Sequence, residues 1–337
     1  MRICLIGTGR MGRRHILAAK NVGFEIAGIY DPSPDAITLA LDEQNLPRSI
    51  VFSSAEQMLT TVKPDAIVVS STAPSHGEYV CLAADVGVKY ILCEKPMAVS
   101  IAECDRMMEA CKRAGAILAI NHQMRFLEQY TAVKELADSA AFGGLRSMTV
   151  CASNFGLSMN GSHYFEAFRF LTGEEILSVS FWADAAVLPN PRGPEYTDRS
   201  GQLRAVTPSG VRLYGELSAD QGHGIQVIYG CRYGQILVDE LSGFMRIMHR
   251  QEQYRDLPTT RYGMPAVEVI RQIEPVDVVG PTESLWKAML KGGSIPDGQC
   301  GRHAVATLVA ANLSGEQDGR AVQIDAGLPV ARVFPWA

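Results

Sequence analysis

From Arg2 to Ile120 the chain alternates short apolar runs with stretches of helical periodicity, the pattern of a parallel sheet wrapped by helices. The pattern predicts strands at 2–6, 25–30, 50–52, 65–70, 90–93 and 116–120. Ile67 to Val69 and Ala116 to Ile120 are unbroken apolar runs, as in strands covered on both faces. Ser53 with Glu56 and Ser100 with Glu103 read as capping boxes that open two of the connecting helices.

Beyond about residue 125 the texture changes. Longer runs with two-residue alternation predict strands at 145–152, 176–187, 211–217, 226–229 and 235–238, and hence an antiparallel sheet. Residues 302–313 predict an amphipathic helix that ends near Gly315. The polar stretch 193–204, with Pro194 and Gly201, reads as a loop. There is no internal repeat or low-complexity tract. The expected fold class is α/β, with a Rossmann dinucleotide-binding domain over residues 1–125 and a second α/β domain with a large, mostly antiparallel sheet over 126–337.

Composition narrows the function classes. A length of 337 residues exceeds what one core usually serves, which agrees with two domains. Hydrophobic residues are 47% and charged residues 20%, values of an ordinary globular chain. No apolar run approaches the roughly 18 residues of a spanning helix, and the apolar start at Met1 is too short for a secretory signal. A cytoplasmic protein without a membrane partner is expected. A net charge of −5 with no cluster of Lys and Arg argues against a nucleic-acid binder. The eight cysteines are scattered without a CxxC pair, so they read as buried free thiols in a reducing compartment rather than a metal or redox site. His223, His249 and His303 show no ligand spacing, and no metal is expected.

Gly7-Thr8-Gly9-Arg10-Met11-Gly12 follows the first strand and opens a helix. Bare glycines there permit a tight turn and let a pyrophosphate approach the helix N-terminus. A glycine turn that only joins strand to helix is the plainer reading. The context favours the functional one, because the second strand ends in an acid, Asp31, nineteen residues beyond Gly12. A carboxylate there accepts from adenosine ribose hydroxyls and repels a 2′-phosphate, and Pro32 and Ser33 bring no arginine to neutralise one. NAD is therefore expected over NADP. Cys93-Glu94-Lys95-Pro96 closes a buried strand at the end where α/β sheets place ligands. In isolation Glu-Lys-Pro is a solvated turn; here the lysine can bind a substrate hydroxyl and manage its proton.

These motifs, with Ala73-Pro74-Ser75-His76, Asn121-His122-Gln123-Met124-Arg125-Phe126, Gly161-Ser162-His163-Tyr164-Phe165-Glu166 and Asp297-Gly298, resemble the glucose-fructose oxidoreductase, inositol dehydrogenase and rhizopine-catabolism family over most of the chain. The resemblance implies cofactor contacts at Gly7, Gly9, Arg10, Met11, Gly12, Asp31, Ser71, Thr72, His76, Glu94, Lys95 and Pro96. It implies a catalytic Lys95, a cis bond before Pro96, and His163 as a second proton-handling group suited by its near-neutral pKa. Substrate contacts are expected at Asn121, Arg125, Asn160 and Tyr164, with loops 154–161 and 189–204 shaping the pocket. His15 reads as structural or near the pyrophosphate, and Glu166 as a helix-start or structural residue. The resemblance further implies a carbohydrate-like small-molecule substrate and a homodimer or homotetramer built on the second domain's sheet.

One position departs from the family. Many members carry an aspartate four residues before this histidine, where this chain has Met159 followed by Asn160. Methionine cannot ionise or orient an imidazole, and asparagine can only hold a hydroxyl. Three function classes follow: an NAD-dependent dehydrogenase or ketoreductase of a sugar, cyclitol or nucleotide sugar; an NAD-binding regulatory protein with little turnover; or redox-assisted hydrolysis or elimination on the same scaffold.

Overall fold

The computed structural model describes residues 1–153, 155–187, 189–274 and 278–337, so Asn154 of the expected pocket loop lies outside the described residues. The chain divides into two compact units. One comprises Met1–Gln123, Asp277–Ala306 and Pro329–Ala337; the other comprises Met124–Val276 and Thr307–Leu328.

The first unit carries five parallel strands, β1 (Arg2–Ile6), β2 (Glu25–Tyr30), β3 (Ala66–Val69), β4 (Tyr90–Cys93) and β5 (Ile117–Ile120), in the order β2-β1-β3-β4-β5. The helices between them are α1 (Arg10–Val22), α2 (Pro34–Gln44), α3 (Ala55–Val62), α4 (His76–Asp85) and α5 (Ile101–Ala114). Strand order reverses at β1, so the crevice beyond the carboxyl ends of β1 and β3 is where this architecture takes a ligand. All four residues of β3 are buried, as their unbroken apolarity requires.

A single cut at residue 125 does not describe this unit. Helix α6 (Glu128–Asp138), α7 (Ser162–Thr172), α8 (Val279–Lys291) and α9 (Gly298–Gly315) come later in the chain, and α8 returns to pack on α1. Trp286 meets Phe24 edge to face at 5.0 Å, a contact of about 0.5–1.5 kcal/mol beyond its area. Glu283 accepts from Asn21 at 2.7 Å. The last residues also return: Trp336 donates to the Ala98 carbonyl at 3.0 Å and stacks on Phe334.

The second unit is built on nine strands, with β6 (Leu145–Ala152), β7 (Ser178–Ala183), β8 (Gly201–Val206), β9 (Arg212–Glu216), β10 (Ile225–Cys231), β11 (Gly234–Asp239), β12 (Phe244–Arg250), β13 (Ala266–Gln272) and β14 (Val322–Gln323) in the order β13-β12-β11-β10-β6-β9-β8-β7-β14. Only the β6–β9 pairing is parallel among these. Met148, Val150, Val227, Tyr229, Ile236, Val238, Met245 and Ile247 fill its covered face.

Several expectations shift. Residues 50–52 form no strand; Val51 makes one parallel bridge to Ile29 beside a short 3₁₀ turn, since Pro47 and the Ser53-Ser54 cap leave no length for a ladder. The cap of α3 is Ser54, accepting from Gln57 N–H at 3.1 Å, one residue beyond the expected box. Ser100 caps α5 as expected, but the Glu103 carboxylate reaches Val99 N–H instead of closing the box on Ser100. Residues 201–204 belong to β8 and not to a loop. Strands β12 and β13 escape the pattern because β12 buries only Met245 and Ile247 while every residue of β13 is exposed, leaving β13 no buried face to write in the sequence. Of the thiols, Cys4, Cys93, Cys104, Cys111 and Cys300 are buried, whereas Cys81 and Cys231 are half-buried and Cys151 is exposed, a departure from uniformly buried thiols.

Candidate active site

The glycine loop is shaped residue by residue. Gly7 has φ +89° and donates to the Tyr30 carbonyl at 2.8 Å; a side chain there would collide with the backbone at Ser70 and Ser71. A Cβ on Gly12 would strike the Gly7 carbonyl, so only glycine lets α1 pack on the loop. Gly9 instead borders open space, with nothing within 4 Å of the Cβ it lacks. The start of α1 has no side-chain cap and no acidic residue in its first turn. Its N–H groups and dipole are left to an anion, so the residues present fit a dinucleotide pyrophosphate. Arg10 is exposed and Met11 half-buried at this mouth.

Asp31, at the end of β2, is tied to the same loop. Its Oδ2 accepts from Thr8 N–H at 2.6 Å and from the Thr8 hydroxyl at 3.2 Å, and Oδ1 accepts from Ser33 N–H at 2.8 Å. With one donor on Oδ1, a lone pair remains for a ribose hydroxyl.

Across the crevice, Ser70 donates to the Gly7 carbonyl at 2.8 Å, and the hydroxyl of half-buried Ser71 accepts from Ser75 at 2.7 Å. Half-buried Thr72 opens a 3₁₀ turn that leads into α4. His76, the first residue of α4, is buried, with Nδ1 3.0 Å from the Pro96 carbonyl oxygen and Nε2 3.0 Å from the Ser71 carbonyl oxygen. Burial holds its pKa below the ordinary histidine value against the pull of those carbonyls. Both ring nitrogens thus face backbone carbonyls, and the neutral ring can donate to only one of them.

The Lys95–Pro96 bond is cis, as the resemblance implies, and Lys95 is half-buried just past β4. Glu94 is buried. Its Oε1 stands 2.8 Å from His15 Nε2 and accepts from Asn121 Nδ2 at 2.8 Å, while Oε2 accepts from Lys95 N–H at 3.1 Å. Burial alone would push this carboxyl up; the His15 hydrogen bond and charge, with Lys95 and Asn121, hold it well below the usual carboxylate range. Asn121 also donates to Gln123 at 3.2 Å, so its expected role at the substrate is joined by a place in this network.

In the second unit, His163 is half-buried in the first turn of α7. The residues ahead of it, Leu157–Gly161, form a π-helical turn. Asp198 holds that turn: its Oδ1 accepts from Ser158 N–H at 2.7 Å and its Oδ2 from Met159 N–H at 2.8 Å, while the Arg199 carbonyl takes Leu157 N–H at 2.8 Å. Asn160 is half-buried in the same turn. Tyr164 is buried and donates its hydroxyl to Glu240 at 2.8 Å, and Tyr130 donates to the other oxygen of that carboxylate. Arg125 is buried and paired with Glu166, which also accepts from Arg169 at 2.7 Å. The hydroxyl of Tyr164 and one end of Arg125 are therefore committed inside the fold.

Asp198 and Glu240 are site residues that the sequence does not single out, and the partner of His15, read there as structural or near the pyrophosphate, is Glu94. His15 carried a signal, since it lies one helical turn beyond Gly12; nothing in the spacing joins Asp198 to residue 158 or Glu240 to Tyr164. Among the described residues no group of three His, Cys, Asp or Glu side chains is placed to hold a metal ion.

Residues 1–122 match the family described as "Oxidoreductase family, NAD-binding Rossmann fold", that of the glucose-fructose oxidoreductases and inositol dehydrogenases. The chain is 25% identical to inositol 2-dehydrogenase of Serratia proteamaculans over 94% of its own length and 95% of that protein. Over residues 1–122 it carries the NAD-binding Rossmann fold of this oxidoreductase family, and it is similar to an inositol dehydrogenase over nearly its whole length. Myo-inositol 2-dehydrogenase of Thermotoga maritima is a further relative, 26% identical over 64% of this chain and 70% of its own. Two solved structures share this fold. UDP-N-acetylglucosamine 3-dehydrogenase from Acidithiobacillus ferrooxidans has a TM-score of 0.77 and 19% identity, covering 94% of this chain and 98% of that one. An oxidoreductase from Agrobacterium radiobacter, solved with NAD⁺, L-tartaric acid and magnesium, has a TM-score of 0.79 and 19% identity, covering 97% and 99%.

Proposed function

We propose that this enzyme is an NAD-dependent dehydrogenase that moves a hydride between nicotinamide and a hydroxyl or keto carbon of a sugar, cyclitol or nucleotide-sugar derivative. The observation that carries the reading is Lys95, a half-buried ammonium just past the carboxyl end of β4 in a unit whose glycine loop fits a dinucleotide. When bound, the nicotinamide supplies the hydride donor or acceptor. Lys95 binds the substrate hydroxyl and manages its proton, and His163 is the second proton-handling group. Gly7, Gly9 and Gly12 with the N-terminus of α1 hold the pyrophosphate, and Asp31 takes the adenosine ribose, which favours NAD over NADP. Asn160 contacts substrate hydroxyls. A screen of polyols, sugars and nucleotide sugars with NAD and with NADP tests the reading: NADH formation that vanishes in Lys95→Met supports it, and turnover untouched by that change overturns it.

The protein acts in the cytoplasm as a homodimer or homotetramer in this reading. Among the described residues no helix is long and apolar enough to cross a membrane. Trp182, Tyr214 and Ile270 are exposed on one face of the second sheet, set among polar neighbours such as Gln202, Arg204 and Arg246, and are the apolar side chains on which a self-complementary contact would rest. Light scattering at several concentrations tests it; a monomer throughout would rule the oligomer out.

A further inference from the structure

The peptide of Lys95 is gripped from two helices. On its amino side, the Glu94 carboxylate spends Oε2 on Lys95 N–H and Oε1 on His15 and Asn121. A carboxylate without a proton can only accept, so His15 Nε2 is the donor, which fixes the ring orientation. His15 is 1% exposed and Glu94 5%, so water cannot substitute for either partner. One residue further on, the Pro96 carbonyl faces His76 of α4, whose other nitrogen faces the Ser71 carbonyl. The Glu94 carboxylate and the His76 ring both look like cofactor contacts in the sequence, yet their polar atoms are turned inward.

We propose that His15, through Glu94, is a positioning residue that sets the backbone of Lys95 from the helix that receives the dinucleotide, and that Glu94 serves this clamp rather than the cofactor. The geometry supports a direct mechanical link: His15 lies in α1 one turn past Gly12, the helix start is the pyrophosphate end, and the carboxylate is the only step between the imidazole and the lysine amide. The clamp costs the burial of a charge, which is sustained because three donors converge on it. Removing His15 leaves a buried carboxylate one donor short and lets it swing, and the lysine peptide with it. Misplacement of a reacting group by about 1 Å can cost on the order of 10²-fold in rate.

The inference rests on Lys95 being the proton-handling group, and one arm of its test does not. Reductive ¹³C-methylation gives Lys95 an NMR resonance, assigned by its loss in Lys95→Met. In His15→Leu this resonance should shift or broaden and the dissociation constant for NAD, measured by calorimetry, should stay within about twofold, because no cofactor contact is lost. On any substrate found by screening, kcat should fall by about 10²-fold with KM little changed. His15→Gln, which keeps a donor, should restore most of both signals, an outcome a merely space-filling histidine would not give. Asn121→Ser, a milder loss of one donor, repeats the measurement if His15→Leu fails to fold. An unchanged Lys95 resonance in folded variants overturns the clamp, and so does a tenfold loss of NAD affinity in Glu94→Gln with the Lys95 resonance unmoved. Absence of turnover in the wild type counts against the dehydrogenase reading alone, since the NMR arm reads the clamp without it.

Discussion

Gly156 exists to admit Asp198: a Cβ at residue 156 would overlap the Asp198 carboxylate, which takes the N–H groups of the two residues that follow Leu157. The carboxylate acts as an N-cap supplied from a distant segment, and it anchors the 189–200 stretch to the turn that leads into His163. Losing a cap costs about 1–2 kcal/mol. Asp198→Ala should lower the unfolding free energy by that amount and raise deuterium uptake in a peptide covering 157–161, with uptake in the first unit unchanged. Equal uptake in variant and wild type would dismiss the cap.

Asp31 sets cofactor preference in the proposed function. Asp31→Ser with Pro32→Arg should weaken NAD binding and relieve the exclusion of NADP. Hydrogen bonds to a charged acceptor are worth about 1.5–3 kcal/mol, or roughly one to two decades in affinity. Calorimetry showing the wild type tenfold tighter on NADP than on NAD would refute the assignment.

The three glycines should fail in different ways. Gly9→Val should fold and lose nucleotide affinity, because its side chain fills open space that the ligand needs. Gly12→Val should lose stability first, since its side chain meets the Gly7 carbonyl and pushes α1 off the loop. Thermal melts with and without NAD separate the two; identical melts for both variants would contradict the division.

Lys95 and His163 are separable in the proposed chemistry. Lys95→Met should abolish turnover and spare NAD binding, whereas His163→Ala should slow turnover by about 10² to 10⁴-fold, the usual worth of general acid or base catalysis. Wild-type rates in both variants would remove the proposed pair.

Stability should carry the signature of Glu94 on the acid side. Its pKa is lower in the folded chain than in the unfolded one, so the folded state binds the proton less readily. The stabilisation is therefore present in full above the ordinary carboxylate range and is lost as pH falls toward the depressed folded value. In denaturant titrations, Glu94→Gln should be less stable than wild type at neutral pH and should lose less stability on acidification. A variant with the wild-type slope across the acid range would show that Glu94 is not the group responsible.

The first unit was legible because its signals are local and physical. Gly7 needs positive φ, Gly12 needs close packing, and Asp31 ends a strand at a fixed distance, so spacing alone places all three. Strand β3 announces itself by burial on both faces. What sequence reading missed depends on pairs far apart in the chain: His15 with Glu94, Asp198 with Met159, Glu240 with Tyr164. A buried polar residue advertises that it needs a partner but not which one. The inward use of Glu94 and His76 is hidden for the same reason, since a polar residue near the proposed lysine looks alike in sequence whether it faces ligand or core.

Trp286 on Phe24 and Trp336 on the Ala98 carbonyl make the nucleotide half of this enzyme a discontinuous object. It is not a cassette that a gene fusion could lift out at residue 125. Such a fragment would present a bare flank on α1 and an unclaimed carbonyl ahead of α5, and would seek other chains to cover them. During synthesis, the five strands of that half are made well before residues 279–291 and 329–337 exist to cover that flank.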